Sequence, residues 1–340
     1  MRCGRNRAMS FKISPQIRRR DALKLGALAP FATLPAAQAQ TGWPSQPVRL
    51  VVPFLAGGPT DVPARIIADE MSKNLPNRVV IENRTGSGII IGSDMVAKAP
   101  KDGLTILYST VGHAVVKALF PRAPFDPVRD FTPVSLVGKV PMIMMVNKDF
   151  PAQTLPELIE LVRANPGKYD YASSGNGAAA HLTTELFLHM AGGLQMNHIP
   201  FRGIAGALPE LLAGRIPMIV DIAASAVPLI RRGDLRPLAI STPERSPLLP
   251  ELPTFAEGGV PGFESYTWHM VLVPSGTPAE VVQAINTSVN SALKKESVRS
   301  KLADLTIDVA GTTPEEATEF LSAEIAKWSA VVRQANITVN

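Results

Sequence analysis

Few residues in this chain have types and spacings suited to side-chain chemistry. Its five histidines are His113, His181, His189, His198 and His269, and no two stand four apart, the spacing that sets both on one helical face as metal ligands. No metal site is therefore expected. Ser174 is preceded by Ala172-Ser173, so the Gly-x-Ser-x-Gly nucleophile elbow is missing. The run Gly175-Asn176-Gly177-Ala178-Ala179-Ala180 fits the looser Gly-x-Gly-x-x-Ala dinucleotide pattern. No acid lies near position 195 to hold a ribose, however, because Gln195, Met196, Asn197 and His198 occupy that region. No cofactor is expected either. What remains is backbone chemistry. An apolar run over 48–54 leads into Gly57-Gly58, and then Thr60 or Asp61 can cap a helix whose first turn accepts Pro63. Unpaired amides at such a helix start suit a small anion, above all a carboxylate. His181, four residues after Gly177, either points at its turn or packs. Asp221, at a strand end, either meets a ligand or caps the next helix.

Short apolar runs alternate with helical patterns through the rest of the chain, which predicts an α/β fold with a mostly parallel sheet. After 48–54, strands are expected over 78–82 and 104–109, with turns at 83–88 and 110–113 and a helix over 92–99. Two apolar runs, 132–137 and 142–147, follow each other without a helix, as in a passage from one domain to another. Strands at 169–173, 196–201, 218–221 and 238–241 alternate with glycine turns and helices. A segment rich in Pro and Gly over 244–262 precedes an apolar run at 268–273, read as the chain crossing back. Thr154 with Glu157, Thr277 with Glu280 and Thr313 with Glu316 are expected capping boxes. Two C-terminal helices start near Pro278 and Pro314.

Arg18-Arg19-Arg20-Asp21-Ala22-Leu23-Lys24, the apolar segment 25–34 and Ala37-Gln38-Ala39 form an expected export signal over 1–39, of twin-arginine or Sec type. That segment is shorter than the roughly 20 residues needed to span a bilayer. The signal takes eight of the 34 Lys and Arg and one of the 29 acids, leaving 26 against 28 and a net charge of −2. The basic balance thus belongs to the signal, and nucleic acid is not an expected partner. Cys3, the single cysteine, lies there too, so the exported chain relies on its core rather than on disulfides.

Several short motifs then occur in one order. They are Val-Pro-Phe-Leu-Ala-Gly-Gly-Pro-Thr-Asp (52–61), Ile-Glu-Asn-Arg (81–84), Pro-Lys-Asp-Gly (100–103), Asp-Phe-Thr-Pro-Val (130–134) and Asn-Pro-Gly-Lys (165–168). Ile-Pro-Phe-Arg-Gly (199–203), Leu-Arg-Pro-Leu-Ala (235–239), Leu-Pro-Thr-Phe-Ala-Glu (252–257) and Pro-Ser-Gly-Thr-Pro (274–278) follow. The set resembles the Bug family, the periplasmic solute receptors of tripartite tricarboxylate transporters. The resemblance implies a type II periplasmic binding protein, with two α/β domains closing on a central cleft: 43–142 with 265–340, and 143–264. It implies a monomer in the periplasm that binds a small carboxylate and serves the membrane components of a transporter or a sensor kinase. The ligand contacts it implies are Phe54, Ala56, Gly57, Gly58, Thr60 and Asp61 at the first turn, and Thr110 and His113 at the third. Ser174, Asn176, Gly177, Ala178, His181, Phe201 and Asp221 would face them from the other domain. Ala178, Gly86-Ser87-Gly88-Ile89 and Gly112-His113 depart from the family pattern and make the site less polar, which suits a ligand other than the usual C4 or C6 dicarboxylates. An exported hydrolase of a small ester or amide is the alternative class.

Overall fold

The computed structural model describes residues 43–86, 89–201, 203–247, 249–334 and 337–338. The export signal expected over 1–39 lies outside them. The order of elements is β1 (Val48–Val52), α1 (Asp61–Asn74), β2 (Val79–Asn83), α2 (Ile90–Ala97), β3 (Thr105–Ser109), α3 (Gly112–Leu119) and β4 (Phe131–Asn147). Then come α4 (Leu155–Ala164), β5 (Asp170–Ser173), α5 (Ala179–Met190), β6 (Asn197–Pro200), α6 (Ile204–Leu212), β7 (Met218–Ile222), α7 (Ala223–Arg231) and β8 (Leu235–Ile240). The chain closes with β9 (Tyr266–Pro274), α8 (Ala279–Leu293), α9 (Glu296–Asp304), β10 (Asp308–Val309) and α10 (Pro314–Gln334).

The strands pair in the order β2-β1-β3-β9-β4-β7-β5-β6, with β8 and β10 also on β4. Each β-α-β unit gives a parallel pair: β1 with β2 and β3, and β5 with β6 and β7. The sheet as a whole is mixed rather than mostly parallel, because β4 and β9 enter it antiparallel to their neighbours. The two apolar runs around 132–137 and 142–147 are one 17-residue strand. Up to Pro141 it pairs with β9, and from Met142 it pairs with β7 and β8. Gly138 is required in that strand, since a Cβ there would lie 2.5 Å from the Asp308 carbonyl oxygen of β10.

Apolar side chains on β1, β3, β9, α1 and α8 bury one core, and those on β5, β7, α6 and α7 another. A third core runs under α3, α5 and α10. In α10, Trp328 sits beside Glu324, whose carboxylate accepts the indole N–H of Trp328 at 2.9 Å and of Trp268 at 2.8 Å. The strand passages are also tied. Ser241 Oγ accepts from Met142 N at 2.9 Å and donates to Ser265 O at 2.5 Å, while the hydroxyls of Ser265 and Thr183 meet at 2.7 Å.

One of the three capping boxes forms in full and one in half. Thr313 and Glu316 exchange both bonds, at 2.9 and 3.2 Å. Thr154 accepts from Glu157 N, while the Glu157 carboxylate reaches Gln153 N. Thr277 instead turns its hydroxyl onto Pro274 O at 2.8 Å, and α8 starts one residue later, from Pro278. The short α9, rich in charged residues, is a third C-terminal helix where two were expected.

Candidate functional site

Register alone places the expected residues in two rows. Val51 pairs with Leu107, so Phe54 at the end of β1 stands level with Thr110 at the end of β3. Continuing the β3–β9 ladder sets Thr110 opposite His269, and His269 pairs with Gly138 of β4. On the other side, Ala172 pairs with Ile219 and Ser173 with Pro200, so Ser174, Phe201 and Asp221 are level at the ends of β5, β6 and β7. Asp221 pairs with Ile143 of β4. Because β4 runs with β3 but against β7, the carboxyl ends of both parallel sets point at the middle of β4. Gly138 and Ile143 are about 17 Å apart at the rise of an antiparallel strand. Sheet ends facing one another across that span form a cleft of the kind that α/β proteins use for ligands.

The first turn is held by a side chain expected to contact ligand. Asp61 is fully buried, and its carboxylate accepts from Gly57 N at 2.8 Å, from Arg65 Nε at 2.7 Å and Nη2 at 3.0 Å, and from Asn83 Nδ2 at 2.8 Å. Burial pushes this acid up, but its bonds to Arg65, Gly57 and Asn83 outweigh burial and hold it below the ordinary carboxylate range. Asp61 is thus a clasp rather than a helix cap, and Thr60 makes no side-chain cap either. Gly57 N is spent on Asp61 and Gly58 N on Leu55 O, which leaves the amides of Ala56 and Thr60 without partners among the described residues. Leu55, at the rim, is 72% exposed.

The third turn does not bring His113 to the cleft. Its ring is buried between Phe125 and Phe131, and Nε2 bonds Pro127 O at 3.1 Å. Burial holds this imidazole down to about 4, so it is a neutral core residue.

The turn after β5 has the same economy as the first. Gly175 N donates to Ser173 Oγ at 3.1 Å, Gly177 N to His181 Nδ1 at 3.1 Å, and Ala178 N to Gly175 O at 3.2 Å. Asn176 N has no partner among the described residues, and the first-turn amides of α5 lie beside it. Gly177 has φ +72, and a Cβ there would meet Leu119 of α3 at 2.7 Å, so only glycine fits. His181 both packs and points at its turn. Asp221 is buried, bonds the Ser225 hydroxyl, and is pushed up to about 6 by burial.

The family described as "Tripartite tricarboxylate transporter family receptor" matches residues 63–337. The chain belongs to that receptor family. Protein BugT of Bordetella pertussis is 36% identical to this receptor over 294 residues, 86% of this chain and 90% of BugT. Among solved structures, Rpa4515 of R. palustris, determined with adipate, superposes with TM-score 0.80 at 38% identity, covering 87% of this receptor and all of that chain. MatC (Rpa3494) of Rhodopseudomonas palustris, with bound malate, gives 0.77 at 34%, covering 85% of this receptor and 99% of MatC. The fold is that of a solute-binding receptor, and the hydrolase alternative finds no support.

One pair in the receptor has the reach of a nucleophile and base, Ser173 Oγ and His198 Nε2 at 2.6 Å. Ser173 is fully buried and already takes the Gly175 amide, so the pair belongs to the turn. Sequence reading missed His198, Arg65 and Asn83 as parts of the site's support. Asn83 stands inside Ile-Glu-Asn-Arg, a motif that marked only the family; a side-chain amide one residue before a turn was the available signal.

Proposed function

We propose that this receptor captures a small carboxylate in the periplasm and presents it to the membrane components of a tripartite transporter. The observation that carries this reading is the convergence of both sets of strand ends, each with a glycine turn and unpaired amides, on the middle of β4. Relatives solved with adipate and malate support the ligand class. The lobes are 43–142 with 265–340, and 143–264, and they close on the acid. Ala56 and Thr60 offer amides from one side, and Asn176 with the start of α5 from the other. Phe54, Thr110, Ser174, Phe201 and Asp221 line the walls, while Gly57, Gly58, Gly177, Ala178 and His181 shape the turns. Cleavage after Ala39 delivers the soluble form.

Thermal denaturation with graded adipate or malate tests this. Binding to the folded state alone raises Tm with ligand concentration, by about 2.7 kcal/mol of stability at one hundred times Kd. The acid must be recovered unchanged. Mass spectrometry of small molecules released on denaturation identifies the native ligand. A Tm indifferent to both acids, together with no acid released, overturns the reading.

A further inference from the structure

Behind the turn after β5, three rings form one column. His181 of α5 lies parallel on His198 of β6, with centroids 4.0 Å apart and planes 7° apart, and His198 lies on Tyr171 of β5 at 4.9 Å. Each histidine is tied to a different glycine of the turn. His181 Nδ1 accepts Gly177 N–H directly, so its proton is on Nε2. His198 Nε2 bonds Ser173 Oγ at 2.6 Å, and that oxygen accepts Gly175 N–H and donates to Gly175 O at 3.2 Å. The column ends at Tyr171, whose hydroxyl donates to Glu185 of α5.

We propose that His198 is a positioning residue for ligand binding: stacked on His181 and bonded to Ser173, it holds Gly175 and Gly177 inward and leaves the Asn176 amide open to the ligand. The proposal rests on the reading that this turn faces the ligand. The brace requires an unprotonated His181 Nδ1, and a neutral His198 spares it a like charge. A proton on His181 Nδ1 sets N–H against N–H at Gly177, and two cations 4.0 Å apart repel.

Tyr171 of β5 stacks on His198 and Ser173 bonds it, Glu185 of α5 accepts from Tyr171, and Asp221 of β7 is level with Ser174. From α3, Leu119 stands near Gly177. Glu185 is taken by Tyr171 and Asp221 by Ser225, so neither counterbalances an imidazolium. Burial holds His198 down to about 4, and burial together with His198 holds His181 down to about 3. The brace is therefore intact at neutral pH and opens in acid.

Amide exchange by NMR on the signal-free chain reads this without any ligand, alongside ring titration of ¹⁵N-labelled histidine. In the wild type, protection at Gly177 is expected to fall at least tenfold in step with titration of His181, while β1 amides stay protected. His198→Phe keeps the stack but loses the Ser173 bond. It is expected to cost tenfold in protection at Gly175 already at pH 7, to weaken adipate binding to a similar extent, and to remove one ring's step from the pH profile. His198→Gln, which restores a partner for Ser173, should recover much of this. Glycine protection that ignores the ring titration overturns the proposal, even if a variant fails to fold. A wild type that shows the coupling but neither responds to adipate and malate nor releases an acid on denaturation counts against the carboxylate reading, not against the brace.

Discussion

At the scale of single residues, both glycine turns are shaped largely by side chains bonded back onto the turn's own backbone. Asp61 gathers four donors from Gly57, Arg65 and Asn83 and so sets the first turn. Asp61→Ala leaves those groups unpaired and is expected to cost about 2 kcal/mol in urea unfolding, with weaker acid binding. Asp221 behaves in the opposite way. Its carboxyl is raised to about 6 in the fold from an ordinary 3.8, so the folded state holds the extra proton between those values. Its contribution to stability therefore falls as pH rises from about 4 to 6, by about 3 kcal/mol at most. Asp221→Asn is expected to raise Tm at pH 7.5 and leave it unchanged at pH 3.5. A destabilised Asn variant at pH 7.5 would mean that the carboxylate is needed ionised. At this scale the sequence was only half legible. Glycine and aspartate types marked both turns, but the stack of His181 on His198 joins residues 17 apart on different elements, which a search for spacing along one helix does not meet.

At the scale of elements, turn chemistry was legible where it is local. The glycine turns end β1 and β5 as expected, and Thr313 with Glu316 closes a reciprocal cap on α10. Thr313→Ala is expected to lower stability by about 1 kcal/mol. Glu280→Ala, at the same motif spacing before α8, should change nothing measurable, because Thr277 is bound to Pro274 O. Equal losses in the two variants would show that motif spacing rather than observed geometry sets the cap. What local pattern did not carry was strand direction. The Gly138-Lys139-Val140-Pro141 interruption reads as a gap between two runs, yet the backbone stays extended through it because Gly138 packs against β10 and Lys139 pairs with Trp268 of β9. The antiparallel entry of β9 likewise depends on a partner more than a hundred residues away.

At the scale of the whole molecule, His113, His181 and His269 are buried and His198 is half-buried, and desolvation chiefly holds all four down to between about 3 and 4. Unfolded, they take up protons below about 6.5. Stability is thus full above that pH and declines as pH falls toward 4. Asp221 opposes the trend by one proton. Urea midpoints measured from pH 7 to 4.5 are expected to fall steeply, and a flat profile would contradict the buried neutral rings. Finally, β4 is one strand of 17 residues whose ladders carry register shifts at Pro133/Ser135, Leu136/Gly138 and Met144/Met145. A strand shared by both proposed lobes makes any closing of one on the other a twist of that strand rather than the swing of a loose linker.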